Sequence, residues 1–476
     1  MSIVWNEVLN GGDLDAAFAL ARTRRQPLFL YWGAVWCPPC NRVKAEIFVS
    51  EDFIRRLASV VCCHLDGDTP GAQALAARYG LRSYPTLVLF APDGGEITRL
   101  PCELDGELFA GAFDTALAVH AAGSSAAVAL DAALSGSRKL SADEWSLLSH
   151  YSWDTDEGRL LGGRDPAATL LALARACANA DNADNADNAD AAARLGLHAQ
   201  LAAGGKQGDV AANAEALLAM FSDARLARAN MDILSNSGVN LIKFASRREE
   251  LAAALSGVAA QWADDFWLGA PDRLAAVRLQ MRLTRLLTAT HGLQERVRAR
   301  VEAALAASTD PYERHSLVNT AVSALNDAGL SAQAEQVLLA ELPRSHAPYY
   351  FMLSLAAGAK RRGDLAAAVN WYEKAWDAAA GPATRLQWGV TYLNSLLELS
   401  PQDAPRIEQA EQGLRADIAA AGADAFEQRN LAQLQKLRDP KWLNHGGLNH
   451  GVKSDIRTRP ELLSPVVVDL VSDCQT

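Results

Sequence analysis

The 476-residue sequence contains no apolar run approaching the roughly 18–20 residues that cross a bilayer, so no membrane-spanning helix is expected. It also lacks a basic excess. Its 45 Lys and Arg face 56 Asp and Glu, giving a net charge of −11 and a pI near 5.4. That balance argues against general binding to a phosphate backbone, so neither nucleic acid nor membrane is expected as a partner. The N-terminus, MSIVWNEVLNGGDLDAAF, has no basic stretch followed by a continuous apolar segment, so a secretory signal is not expected. Cysteine is scarce and odd in number, seven in all, which does not suit a structural disulfide framework. A reducing, cytoplasmic setting is the working expectation. What is abundant is apolar material, 50% of residues, with alanine the commonest. Such a chain can fill about two or three packed domains and leans towards helix.

The first 120 residues read as an α/β unit of order α-β-α-β-α-β-β-α. Residues 12–23 carry apolar positions at helical spacing, and PLFLYWG (27–33) is a short continuous apolar run suited to a buried strand. Helices follow over 41–48 and 51–58, a strand over 59–66 and a helix over 71–80. TLVLFA (86–91) and EITRL (96–100) flank Pro92-Asp93-Gly94-Gly95, a hairpin signal, and a helix over 104–120 closes the unit.

Cys37-Pro38-Pro39-Cys40 lies just after a strand and opens a helix. There a thiol faces unpaired backbone N–H groups, which favour thiolate. The two-residue spacing lets the second sulfur reach the first within one turn. Pro38 and Pro39 pre-set the helix start and leave the Cys40 N–H free for the Cys37 sulfur. The competing reading is half a zinc site, but no second CxxC occurs. Cys62, Cys63 and His64 lie on one strand, where adjacent side chains point to opposite faces. A redox pair is therefore expected, with no metal and no bound cofactor.

Strand, Trp36-Cys37-Pro38-Pro39-Cys40, helix, and then Ser83-Tyr84-Pro85-Thr86 at the start of an apolar strand together resemble the thioredoxin fold over about residues 10–120. The resemblance implies Cys37 as an exposed attacking thiolate and Cys40 as the buried resolving thiol. It implies Pro85 as a cis-proline beside the disulfide, Tyr84 backbone as the partner of a substrate chain, and Trp36 at the edge of that groove. Two positions depart from it. Tyr31 stands where thioredoxins carry a buried Asp, with Cys62 near the place of a Lys, and Ala45 stands where a kinking proline is usual. The wording PLFLYWGAVWCPPCNRVKAEIF is more similar to the thioredoxin-like group that includes the C-terminal domains of disulfide-transferring membrane reductases. Cys62 and Cys63 read as core residues on opposite sheet faces. Cys102, after Pro101 in a loop the fold places at the rim of the site, is a possible third redox thiol. Lys44 reads as a solvated helix residue.

From about 124 to 440 helix punctuation takes over. Asp165-Pro166 and Asp310-Pro311 read as helix starts, and Ser141-x-x-Glu144 and Ser246-x-x-Glu249 as capping boxes. Paired Ala/Leu-rich segments suggest an α-solenoid. Within about 314–382, GDLAAAVNWYEKAW (363–376) resembles the second helix of a tetratricopeptide repeat, with Ala368, Tyr372 and Ala375 at its small, aromatic and small positions. Ala334 lies 34 residues earlier, the period of that repeat. Arg278, Arg282 and Arg285, with Arg296, Arg298 and Arg300, read as a solvated face beside acids, with a groove for acidic peptides as the alternative. Trp262, Trp267, Trp371, Trp376 and Trp388 read as inter-helix packing. The period-three tract 179–191 reads as a solvated loop, and the Gly/His/Asn-rich end as a mobile tail.

The organisation expected is therefore a redox domain over 1–122, a helical-repeat region over 123–440 and an irregular tail over 441–476. The function expected is thiol–disulfide oxidoreduction of protein clients, fed by an external thiol reductant, with the helices selecting the client. The alternative, by likeness of plan to the chaperedoxins, is a holdase or redox-sensing scaffold whose cysteine pair is regulatory.

Overall fold

The computed structural model describes residues 3–69, 71–180, 186–204, 214–287 and 292–421, together with 430 and 433. The stretch 441–476, read from sequence as an irregular tail, lies outside the described residues.

The N-terminal unit runs β1 (Asn6–Glu7), α1 (Gly11–Arg24), β2 (Leu28–Gly33), α2 (Pro38–Arg42), a π-helical turn (Val43–Ile47), α3 (Glu51–Leu57), β3 (Val61–Asp66), α4 (Ala72–Arg78), β4 (Thr86–Phe90), β5 (Glu96–Leu100) and α5 (Gly106–Ala121). The sheet order is β1-β3-β2-β4-β5, with β1, β3 and β2 parallel and β4 and β5 antiparallel. This is the thioredoxin-like arrangement that the resemblance implies. The two-residue edge strand β1 is an addition, too short to register as alternation.

Every residue of β2 is buried, as a continuous apolar run on a central strand requires. Leu28, Leu30 and Trp32 face α1 and α4, while Phe29 and Tyr31 join Phe53, Phe109 and Phe113 on the other side. Cys62 and Cys63 divide between the same two faces as expected, and burial pushes both thiols up to about 12. The β4–β5 turn closes through Ala91 and Gly95, with Gly94 in the left-handed region.

The rest of the described chain is helical. Close to the sheet lie α6 (Ala126–Ser135), α7 (Ala142–Ser149), α8 (Trp153–Asp156), α9 (Pro166–Ala178) and α10 (Ala186–Ala203). Next come α11 (Ala214–Ser222), α12 (Ala224–Ala229), α13 (Met231–Lys243), α14 (Arg248–Asp264), α15 (Ala270–Leu283) and α16 (Leu293–Ala307), of which α12, α13 and α15 also touch the sheet unit through Arg228–Asp105, Asn236–Glu103 and Asp272–Arg42. The return is made by α17 (Pro311–Asp327), α18 (Ser331–Glu341), α19 (Pro348–Arg361), α20 (Leu365–Ala378), α21 (Pro382–Leu399) and α22 (Ala404–Ala421). Among the described residues no single helix is long and apolar enough to cross a membrane.

Asp165 and Asp310 cap α9 and α17, and Ser141 with Glu144 forms a capping box on α7. The box read at Ser246 does not form. The cap of α14 is Arg247, whose φ of 59° turns the chain in without side-chain help. The 179–191 tract is also corrected, because its second half is the first turn of α10. Asn188 is buried there, its carbonyl accepting from Cys177 Sγ at 3.3 Å, and Asp190 pairs with Arg225. The apolar stripe Ala191, Leu195 and Ala199 belongs to the main core, and its helix extends back into the alanine-containing repeats.

One apolar core runs from the Phe29 face of the sheet through α5–α10, and again into α19–α22. A second core fills α11–α19. The helices therefore build an interior of their own beside the sheet unit, and α19–α22 rejoin the first core. The helices α15, α17, α19 and α21 each begin with a proline in the first turn, and each of those turns meets the sheet unit.

Candidate functional site

Cys37 is the N-cap of α2 and is joined to Cys40 as a disulfide, with Cα atoms 5.2 Å apart. The Cys40 N–H donates to Cys37 Sγ at 3.2 Å, the bond that the two prolines leave open. Tyr84–Pro85 is cis. The Tyr84 ring packs against Trp32 and Trp36, at 5.0 and 5.9 Å, and its hydroxyl accepts from Gln73 Nε2 at 3.3 Å. Asn41, which no sequence signal singled out, is fully buried. Its amide donates to the carbonyls of Val35 at 3.0 Å and Cys37 at 3.1 Å, pinning the turn that carries the disulfide.

An exposed Cys37 is what the resemblance implies, with Trp36 at the edge of the groove. The exposure does not hold, for Cys37 is 2% exposed, and Trp36 next to it 8%. The reason is the returning helices. Trp36 stacks on Tyr350 of α19 and meets the edge of Trp388 of α21 at 5.2 Å. Its indole N–H donates to Thr384 Oγ1 at 2.8 Å. The Trp36 carbonyl accepts from His315 Nε2 at 3.0 Å and the Val35 carbonyl from His346 Nε2 at 3.2 Å. Both imidazoles are held neutral by burial, His315 down at about 4.

Asp68, on the loop after β3, accepts from the Thr384 N–H at 2.8 Å and from Thr384 Oγ1 at 2.6 Å. It thus caps α21, whose own N-cap, Gly381, has no side chain to do so. Burial raises the Asp68 carboxyl to about 6. On α2 itself, Arg42 bonds Glu46 at 2.9 Å and reaches Asp272 of α15 at 2.6 Å.

Tyr31, at the expected Asp position, is buried with its hydroxyl unpartnered, and burial holds it neutral. It stacks on His64 at 5.0 Å. Lys44 is not the solvated residue expected. It sits over the rings of Tyr31 and Tyr312, at 5.9 and 5.3 Å, and desolvation lowers its pKa. No proline bends the helix at Ala45, because the π turn Val43–Ile47 occupies that place. Cys102 is partly buried against the main core, and burial holds its thiol protonated.

Of the other expected features, Trp262 and Trp376 are buried, but Trp267 is 84% exposed, its ring against the similarly exposed Phe266. Most of the arginines singled out over 278–300 face acids, as the plainer reading had it, while Arg282 donates to the Asn236 carbonyl at 3.2 Å. Arg278 and Arg285 meet Asp327, and Arg296 and Arg300 meet Asp264. Trp388 packs as expected, though against Trp36; the other covering residues, His315, His346, Tyr350 and Thr384, were missed because nothing local marks them.

Residues 14–117 match the family model of a thioredoxin-like domain. Over 98 residues the chain is 31% identical to the thiol:disulfide interchange protein DsbD 1 of Pseudomonas aeruginosa, a stretch covering 20% of this chain and 17% of that protein. A solved thioredoxin from Thermus thermophilus aligns at 27% identity over 24% of this chain and 86% of its own, with a TM-score of 0.21. The chain thus spans 17% of the length of the interchange protein it matches. The N-terminal domain is thioredoxin-like, and its close cysteine pair and interchange-protein relative support thiol–disulfide chemistry there.

Proposed function

We propose that this chain is a thiol–disulfide oxidoreductase that reduces protein disulfides through Cys37 and Cys40, its helical region governing which partner reaches the pair. The observation that carries this is the disulfide-linked cysteine pair at the start of α2, with the Cys40 N–H on Cys37 Sγ. The neighbouring Trp36 meets the ring of Tyr84, whose bond to Pro85 is cis, at 5.9 Å. The Cys37 thiolate attacks one sulfur of a client disulfide, forming a mixed disulfide and releasing the other client sulfur as a thiolate. The Cys40 thiolate then attacks Cys37 Sγ, freeing the reduced client and leaving Cys37–Cys40 oxidised. An external dithiol returns the two electrons and two protons. No bound cofactor is needed, and a reducing, cytoplasmic setting supplies that reductant. The helical cover must part from Trp36 before a client can approach. The paired helices of 314–382, similar to tetratricopeptide repeats, would supply the client's contacts. Cys102 would act as an auxiliary thiol only when that opening uncovers it.

The burial of Cys37 favours a second reading, a redox-sensing binding protein in which the state of the pair sets the closure of the helices. A Cys37→Ser chain separates the two: loss of disulfide reduction alone fits the first, and loss of partner binding fits the second. The direct test is a redox titration in graded thiol–disulfide buffers, acid-quenched, with every cysteine mapped by mass. A Cys37–Cys40 couple poised near roughly −270 mV supports the reductase reading. A pair that stays reduced until strongly oxidising conditions, or a Cys37–Cys102 bond, overturns it.

A further inference from the structure

Behind the covered face, a recess of about 430 Å³ opens between the π turn, the edge of the sheet and α17. That volume is within the range of small-molecule sites. Its walls are largely aromatic, formed by Trp5, Tyr31, Phe48 and Tyr312, with Lys44 and His64 as its basic groups. Glu7 is occupied by His64, 2.7 Å away, and Asp66 accepts from the Asp68 N–H at 3.0 Å. Both acids reach Lys44 only through their longer-range field. Lys44 is thus a half-buried ammonium with aromatic faces around it and, among the described residues, no carboxylate in contact. The Tyr31 hydroxyl also lacks a partner. An ammonium held out of water without a counter-ion is unfavourable, and a ligand anion would relieve that. The π turn is what aims Lys44 here, and such turns recur at functional sites.

We propose that this recess binds an amphipathic monocarboxylate, its aromatic or alkyl body against Trp5, Phe48 and Tyr312 and its carboxylate on Lys44. One ammonium, with the His64 imidazole already engaged by Glu7, does not suit a phosphate, whose multiple charges need several donors, and repels a cationic ligand. Because Tyr312 comes from α17, the recess is complete only while the helices are docked. Such a ligand therefore binds the closed form preferentially.

The test is calorimetric titration of the full-length oxidised chain with 1-naphthylacetate and with its uncharged analogue 1-naphthylacetamide. The carboxylate is expected to bind at least about tenfold more tightly, the worth of a charge-assisted contact. Lys44→Met should erase that preference, and Tyr312→Ala should weaken both probes. If Lys44→Met does not fold, Trp5→Ala, which removes a wall, carries the test by losing carboxylate binding. No saturable binding, equal affinity for both probes, or a preference that survives Lys44→Met would overturn the proposal.

Discussion

Thr384 Oγ1 accepts from the Trp36 indole and donates to Asp68, so one hydroxyl ties the tryptophan of the redox turn to the loop after β3. Thr384→Val keeps the shape and strands two buried polar groups. It is expected to cost about 1–3 kcal/mol, read as a lowered denaturant midpoint. Two titrating groups on the same seam oppose each other. With Asp68 raised to about 6, the native chain holds a proton that the unfolded chain releases above its ordinary value near 4. Stability from this group therefore falls as pH rises from about 4 to about 6. His315, depressed to about 4, refuses a proton that the unfolded chain takes up below about 6.5, so its contribution rises with pH across that window. Unfolding free energies across pH 4–7 should show the wild-type-minus-Asp68→Asn difference falling and the wild-type-minus-His315→Gln difference rising. Equal slopes would refute the assignment. Cys37, Cys40 and Pro85 were legible because their chemistry is local in sequence. His315 and Thr384 lie 279 and 348 positions from Trp36, and no periodicity links them to it.

The α2–π-turn segment is fastened to α15 by Arg42 and Asp272, both mostly buried. Asp272→Ala leaves Arg42 with Glu46 alone and weakens the closure. Reduction of Cys37–Cys40 by a small dithiol is expected to quicken about 5- to 30-fold, the ratio that one to two kcal/mol of lost closure confers. An unchanged rate would mean that this contact does not hold the cover. Strands and helices of the N-terminal unit were readable because continuous apolar runs, a Pro-Asp-Gly-Gly turn and strong caps agree with one another. The errors fell where local signals conflict. The 179–191 tract has a non-helical period but enough alanine to extend α10 once Ala191, Leu195 and Ala199 find the core. At α14 a capping pattern one residue early lost to an arginine in the left-handed region. The bend at Ala45 was noted as a missing proline, yet the π turn that stands in its place has no sequence signature.

Helical content over most of the chain could be read from alanine, leucine and capping residues. The return of those helices to the redox face could not, because closure depends on residues hundreds of positions apart. That return decides how the molecule behaves. An open thioredoxin-like site meets clients directly, whereas here the N-terminal parts of α17, α19 and α21 meet Trp36, and that of α15 meets Arg42 at the end of α2. Reactivity towards a bulky disulfide is then scaled by the fraction of molecules with the cover open. The measurement that tests this most directly is the rate of insulin disulfide reduction by the reduced full-length chain, compared with Cys37→Ser and Trp388→Ala. The account predicts no turnover for Cys37→Ser, slow turnover for the wild type, and a rate at least about tenfold higher once the Trp388 lid contact is removed. A wild type as fast as Trp388→Ala, or a Cys37→Ser chain that still turns over, would contradict it.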